Sequence, residues 1–141
     1  MKTFEQYLNE SVSIAGIEAT NIQAVIKIGL ETVAQFHIYH WLTKSYAQHN
    51  ALSAFYSGLE DAIDALAENY VAVGGLLDGE AVLYTRMKFN IGDVVNDLQR
   101  FRAVLSDSLA MTGSPEMLSL NDCVIDIQRL VDKTIYQLDL S

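Results

Sequence analysis

The sequence predicts an all-α protein, a bundle of four long helices. Two observations carry that reading. Four segments repeat apolar residues at steps of three and four over several turns, the period of a helix buried along one face. Half of the 141 residues are hydrophobic and only Pro115 is a proline, which suits a compact helical core. Few stretches show the strict alternation of a strand.

The first helix is expected over about residues 21–44, with Thr20 as its N-cap and Ile22, Val25, Ile26, Val33, Phe36 and Trp41 as its apolar residues. The second follows "SYAQ", where Ser45 and Gln48 have capping-box spacing. Its stripe is Leu52, Tyr56, Leu59, Ile63, Leu66, Tyr70 and Val73, and Gly74-Gly75 stops it. The third runs from near Asn90 to Met111, with Val94, Val95, Leu98, Phe101, Leu105 and Leu109 inward. "TGSPEM" breaks it, and Pro115 fits the first turn of the last helix. That helix buries Leu120, Val124, Ile127, Leu130, Val131, Ile135 and Leu138. Residues 76–89 are long for a link between antiparallel neighbours, so a crossover between the second and third helices is expected.

Composition removes several functions. Nine basic residues stand against eighteen acidic, a net charge of −9, and the basic ones are scattered. Such a surface repels nucleic acid and anionic membranes, so neither is expected as a partner. No stretch approaches the ~18 apolar residues of a membrane span. The lone Cys123 has no internal disulfide partner, and acidic Asp122 and Asp126 beside it disfavour a reactive thiolate. No glycine-rich phosphate loop is present.

The second helix offers a metal constellation. His49, Ser53, Glu60, Asp64 and Glu68 form one polar stripe, with Asp64 and Glu68 four apart on one face. Carboxylates with imidazole suit iron, manganese or zinc. The same stripe also reads as the solvated face of an amphipathic helix, and His40-Trp41 as packing residues at a helix end.

The stretch "HWLTKSYAQHNALSAFYSGLEDAIDALAENYVAVGG" resembles the signature region of Dps, the mini-ferritin family. His40-Trp41, His49, Asp64-Ala65-Leu66-Ala67-Glu68 and Gly74-Gly75 stand where that family has a His-Trp pair, a second histidine, an Asp-x-x-x-Glu pair and Gly-Gly. In the tail, Lys133 and Tyr136 fall where a lysine and an aromatic usually occur. The resemblance implies a ferritin-like four-helix bundle, a homo-oligomer from dimer to dodecamer, and an Fe(II) site shared between subunits, with Zn or Mn as alternative ions. It implies His40, His49, Asp64 and Glu68 as the metal ligands and a weak ferroxidase activity. Two departures thin the site: Ser53 stands where the family has an acid, and the segment from His40 to His49 is three residues shorter. Glu60 lies one turn before Asp64, and His37 one turn before His40. The family's lysine-rich DNA-binding tail has no counterpart here.

Residues 1–10, "MKTFEQYLNE", resemble the capsid-targeting peptide of internal head proteins in large contractile-tailed phages. Cleavage after Leu8-Asn9-Glu10 would leave Ser11 as the first residue, with residues 11–141 as the helical bundle. A short frayed amphipathic turn is the other reading of the same decapeptide. Two functions follow as expectations. One is a mini-ferritin-like iron-binding protein packaged in a phage head, with a partly degenerate ferroxidase site. The other is a non-catalytic structural or interaction module of a phage, with itself or head proteins as partners. Both place the protein in the cytoplasm of a bacterial host or inside the virion.

Overall fold

The computed structural model describes residues 19–83, 93–109 and 115–140. Among these the structure is helical, in the order α1 (Ala19–Leu42), α2 (Tyr46–Ala72), α3 (Gly79–Val82), α4 (Val94–Asp107) and α5 (Pro115–Asp139). The four expected long helices are present, and α3 is an added short turn of helix in the link. The decapeptide 1–10 and most of the link's second half lie outside the described residues. Thr20 falls within α1 rather than before it, so it is not the N-cap.

The helices form a ring, α1–α2–α5–α4, in which each long helix packs on two others. Side-chain partners give the directions. Asn69 of α2 donates to Ser119 of α5 at 2.7 Å, while Ala47 and Ala54 at the start of α2 lie beside Leu140 at the end of α5. Arg102 of α4 pairs with Asp132, and Gln128 donates to Ser106, so α4 and α5 are antiparallel too. Tyr39, near the end of α1, donates to Asp97 in the first turn of α4 at 2.7 Å. Thus α2 ends at one end of the bundle and α4 begins at the other, and the connection between them starts and finishes at opposite ends.

Local chemistry sets the boundaries. Ser45 caps α2, its Oγ accepting the Gln48 N–H at 3.2 Å. The Gln48 side chain does not reach back to Ser45 as a capping box would. It accepts from the Thr43 hydroxyl at 2.8 Å, and Thr43 Oγ1 accepts the Ser45 N–H instead. At the other end Gly74 takes φ 97°, a conformation that costs any residue with a Cβ. The link then returns to α1, where the Asp78 N–H donates to the buried Gln23 side chain at 2.8 Å. Asp78 caps α3 through Glu80 N–H. No helix among the described residues is long and apolar enough to cross a membrane.

The core is continuous through all the helices. Phe36 meets Tyr39 and Phe55 edge-on, at centroid distances of 5.1 and 5.0 Å. Buried Thr32 and Thr134 satisfy their hydroxyls on the carbonyls four residues back, Ile28 and Leu130. On α4 and α5 the exposed Arg102–Asp132 pair holds the guanidinium firmly protonated, chiefly through its hydrogen bond to Asp132, though such a surface pair adds little stability.

At Gly29 α1 packs directly against α2. A Cβ there would collide with the side chain of buried Ile63. Gly29→Ala is expected to destabilise by about 1–2 kcal/mol, overpacking outweighing alanine's better helix propensity. Ile63→Ala made in that background should then cost less than in the parent. Denaturant unfolding of the double-mutant cycle checks this, and strict additivity would remove the collision as the cause.

A histidine clasp at the candidate metal site

The expected ligands His40 and His49 do meet. The three-residue turn Thr43–Ser45 folds α2 back on α1, which sets the last turn of one against the first turn of the other. The two imidazoles stack with centroids 3.8 Å apart and planes 30° apart. Each Nδ1 lies against the other residue's backbone carbonyl: His40 Nδ1 to His49 O at 3.1 Å, and His49 Nδ1 to His40 O at 2.8 Å. A carbonyl only accepts, so both Nδ1 atoms carry the proton and donate. The carbonyls of the α1 terminus lack helical partners, and His49 satisfies one of them. The pair is a reciprocal clasp across the turn.

Around it lies an aromatic cluster. His37 stacks on Tyr56 at 4.2 Å and 18°, and touches Trp41 at 4.5 Å. His40 meets Tyr56 edge-on at 5.5 Å. All three histidines are half-buried. Sequence reasoning placed Tyr56 in the apolar stripe and Trp41 in the core. Tyr56 packs half-buried against the core and also covers the histidines, whereas Trp41 is 64% exposed.

The carboxylates stand apart. Asp64 and Glu68 are exposed on the outer face of α2, four residues apart as expected. Fifteen and nineteen residues beyond His49, they are about 22 and 28 Å farther along the helix axis. No group of three or more His, Cys, Asp or Glu among the described residues is placed to hold a metal ion. Glu60 is exposed and Ser53 half-buried, and neither fills the gap. The stacked rings bear on this as well. An imidazole lone pair lies in its ring plane, so stacked rings share one ion, about 2.1 Å from both nitrogens, only where their tilted planes converge on it.

The clasp makes its own prediction. His40→Ala and His49→Ala should each destabilise by about 1 kcal/mol. Because each ring supports the other, the pair should show a coupling of about 0.5–1 kcal/mol in urea unfolding. Independent effects would mean the stack contributes nothing.

Fold and site together define an acidic all-α bundle whose α1–α2 corner is closed by paired histidines. Residues 40–138 match the model of DUF5856, a family of unknown function, and the chain belongs to that family. It is also similar to an uncharacterized 14.6 kDa protein of the mobD-ri intergenic region of Enterobacteria phage T4, 44% identical over 50 residues. That match spans 34% of this chain and 39% of the relative's length. Together these support a phage protein. No solved structure matches.

Proposed function

We propose that the chain is a non-catalytic interaction module of a phage, built on a ferritin-like four-helix bundle. The observation that carries this reading is that no three possible ligands meet among the described residues: His40 and His49 pair across a turn, while Asp64 and Glu68 lie some 22 to 28 Å farther along α2. The ring order α1–α2–α5–α4, with all neighbours antiparallel and one long connection running end to end, supports the ferritin-like bundle, which has a single crossover. The module acts by occupying space in the phage head or by binding a copy of itself or a head protein. It resides in the host cytoplasm or in the virion interior.

Anaerobic Fe(II) titration by calorimetry tests this. The expected trace is flat, and the same for the parent and for Asp64→Ala with Glu68→Ala. Saturable heat that disappears in the double variant would overturn the interaction-only reading.

Iron capture between two copies is the second reading, and the clasp itself favours it in one respect. Donation from both Nδ1 atoms leaves each neutral ring's Nε2 as a bare lone pair, the state in which histidine binds metals. In that arrangement Asp64 and Glu68 of a second copy complete the ligand set, with Fe(II), Zn or Mn as the ion. Weak ferroxidase activity then requires a neighbouring chain, and the same titration decides it.

A further inference from the structure

We infer that the chain pairs with a second copy of itself along the solvent face of α5, the two α5 helices running antiparallel. The inference deepens the interaction-module reading and rests on it, naming the partner and the surface.

The outer residues of α5 form one stripe. Asp122, Asp126, Arg129, Lys133, Tyr136 and Leu140 follow one another in steps of three and four, the spacing of a helix–helix seam, and all are exposed. Leu118 lies one turn before Asp122. The ends of the stripe are apolar, with Leu118, Tyr136 and Leu140 exposed at 55, 65 and 70%. Its middle is charged in two blocks, acidic and then basic. Within one helix that order is unfavourable, because Asp122 with Asp126 and Arg129 with Lys133 set like charges four residues apart. Asp126 and Arg129 pair inside the chain at 3.1 Å, yet both remain open to solvent. The nearby Asp132 lies off the stripe, where Arg102 of α4 holds it. The stripe is therefore neutral on a chain of net charge −9.

Charge argues for a second copy as the occupant. Take a two-fold axis lying in the interface, at right angles to α5 and level with the Ile127–Gln128 bond. It reverses the partner helix without moving it sideways. Asp126 of each copy then meets Arg129 of the other, and Asp122 meets Lys133, each pair forming twice. The same register lays Leu118 beside Tyr136 and Leu140, so an apolar cluster closes each end. Moving the axis one turn either way sets Asp122 against Asp126, or Arg129 against Lys133. An axis along α5 sets every charge against its own equivalent. The pattern thus selects one orientation and one register. The flanking helices α2 and α4 recede behind the outer face of α5, which keeps the acidic turns of α2 out of the seam. Exposed ion pairs add little affinity, so the apolar ends supply most of it and the charges set the register.

Sedimentation equilibrium tests the inference. The parent is expected to be a dimer. Leu118→Glu combined with Tyr136→Glu, both at exposed positions, is expected to give a monomer with unchanged circular dichroism. Asp122→Lys or Lys133→Asp alone should weaken the dimer about tenfold, and the two together should restore it to near the parent's affinity. A monomeric parent overturns the inference. So does a dimer untouched by Leu118→Glu with Tyr136→Glu, or a charge exchange without recovery. A carboxylate-dependent iron signal, read at Asp64 and Glu68 of α2, would end the reading above without altering the dimer measurement, so the two failures are separable.

Discussion

Phe55→Ala is expected to lower stability by about 3–5 kcal/mol, the largest single effect among the core positions considered. Phe55 is fully buried and meets Phe36 edge-on at 5.0 Å, and Phe36 in turn meets Tyr39. Truncation removes a large apolar surface and leaves a cavity where α1 and α2, the most extensively packed pair, face each other. Urea unfolding with an unchanged m-value measures it. Tyr56→Ala, one residue on but half-buried, should cost clearly less. Equal costs for the two would mean that the aromatic core is centred elsewhere.

Asp97→Ala should cost about 2–3 kcal/mol and act on α4 first. Asp97 accepts from the Tyr39 hydroxyl at 2.7 Å and from Gln35 Nε2 at 3.1 Å, and it pairs with Arg100. Tyr39 is fully buried, so its hydroxyl depends on this acceptor far more than a surface hydroxyl would. Asp97 also lies in the first turn of α4, where a negative charge meets the positive end of the helix dipole. The α1–α4 seam is otherwise thin, so its loss should free α4 from the ring before the rest unfolds. Hydrogen exchange would show α4 amides losing protection ahead of α2 and α5. Tyr39→Phe, which removes one of these bonds and keeps the ring, should cost about 1 kcal/mol. Unchanged exchange in α4 after Asp97→Ala would show that this network does not hold the helix.

Much of the core could be read from spacing. Leu52, Leu59, Ile63, Leu66 and Tyr70 on α2, and Leu120, Val124, Ile127, Val131 and Leu138 on α5, are buried as the period of 3.6 requires. The errors lie at stripe edges. Steps of three and four choose Tyr56, which packs half-buried at the core's edge beside α1, and miss the adjacent, fully buried Phe55. Trp41 continues the α1 pattern, yet it follows the last buried turn, which ends with Tyr39. The Tyr39–Asp97 bond joins residues 58 apart, and nothing in a one-dimensional pattern fixes which helices are neighbours in the ring.

The histidines show the same limit at the site. Nine residues across a three-residue turn do place His40 opposite His49, and that much follows from the sequence. Whether an imidazole's Nδ1–H finds a carbonyl, and whether its Nε2 then meets a metal, depends on a side-chain torsion and on the groups around the ring, which spacing does not encode. The carboxylates lie apart from the histidines of the same chain for a simpler reason. A straight helix separates residues 49 and 64 by about 22 Å, whatever face they share.

The clasp is tested most directly by long-range ¹H–¹⁵N correlation NMR of the imidazole nitrogens, before and after one equivalent of Zn(II). The Nδ1–H tautomer is predicted for both His40 and His49, with their Nε2 resonances unmoved by zinc. An Nε2–H tautomer in the free protein would contradict the clasp. A zinc-induced shift of both Nε2 resonances, abolished by Asp64→Ala with Glu68→Ala, would show instead that these histidines and carboxylates form one metal centre.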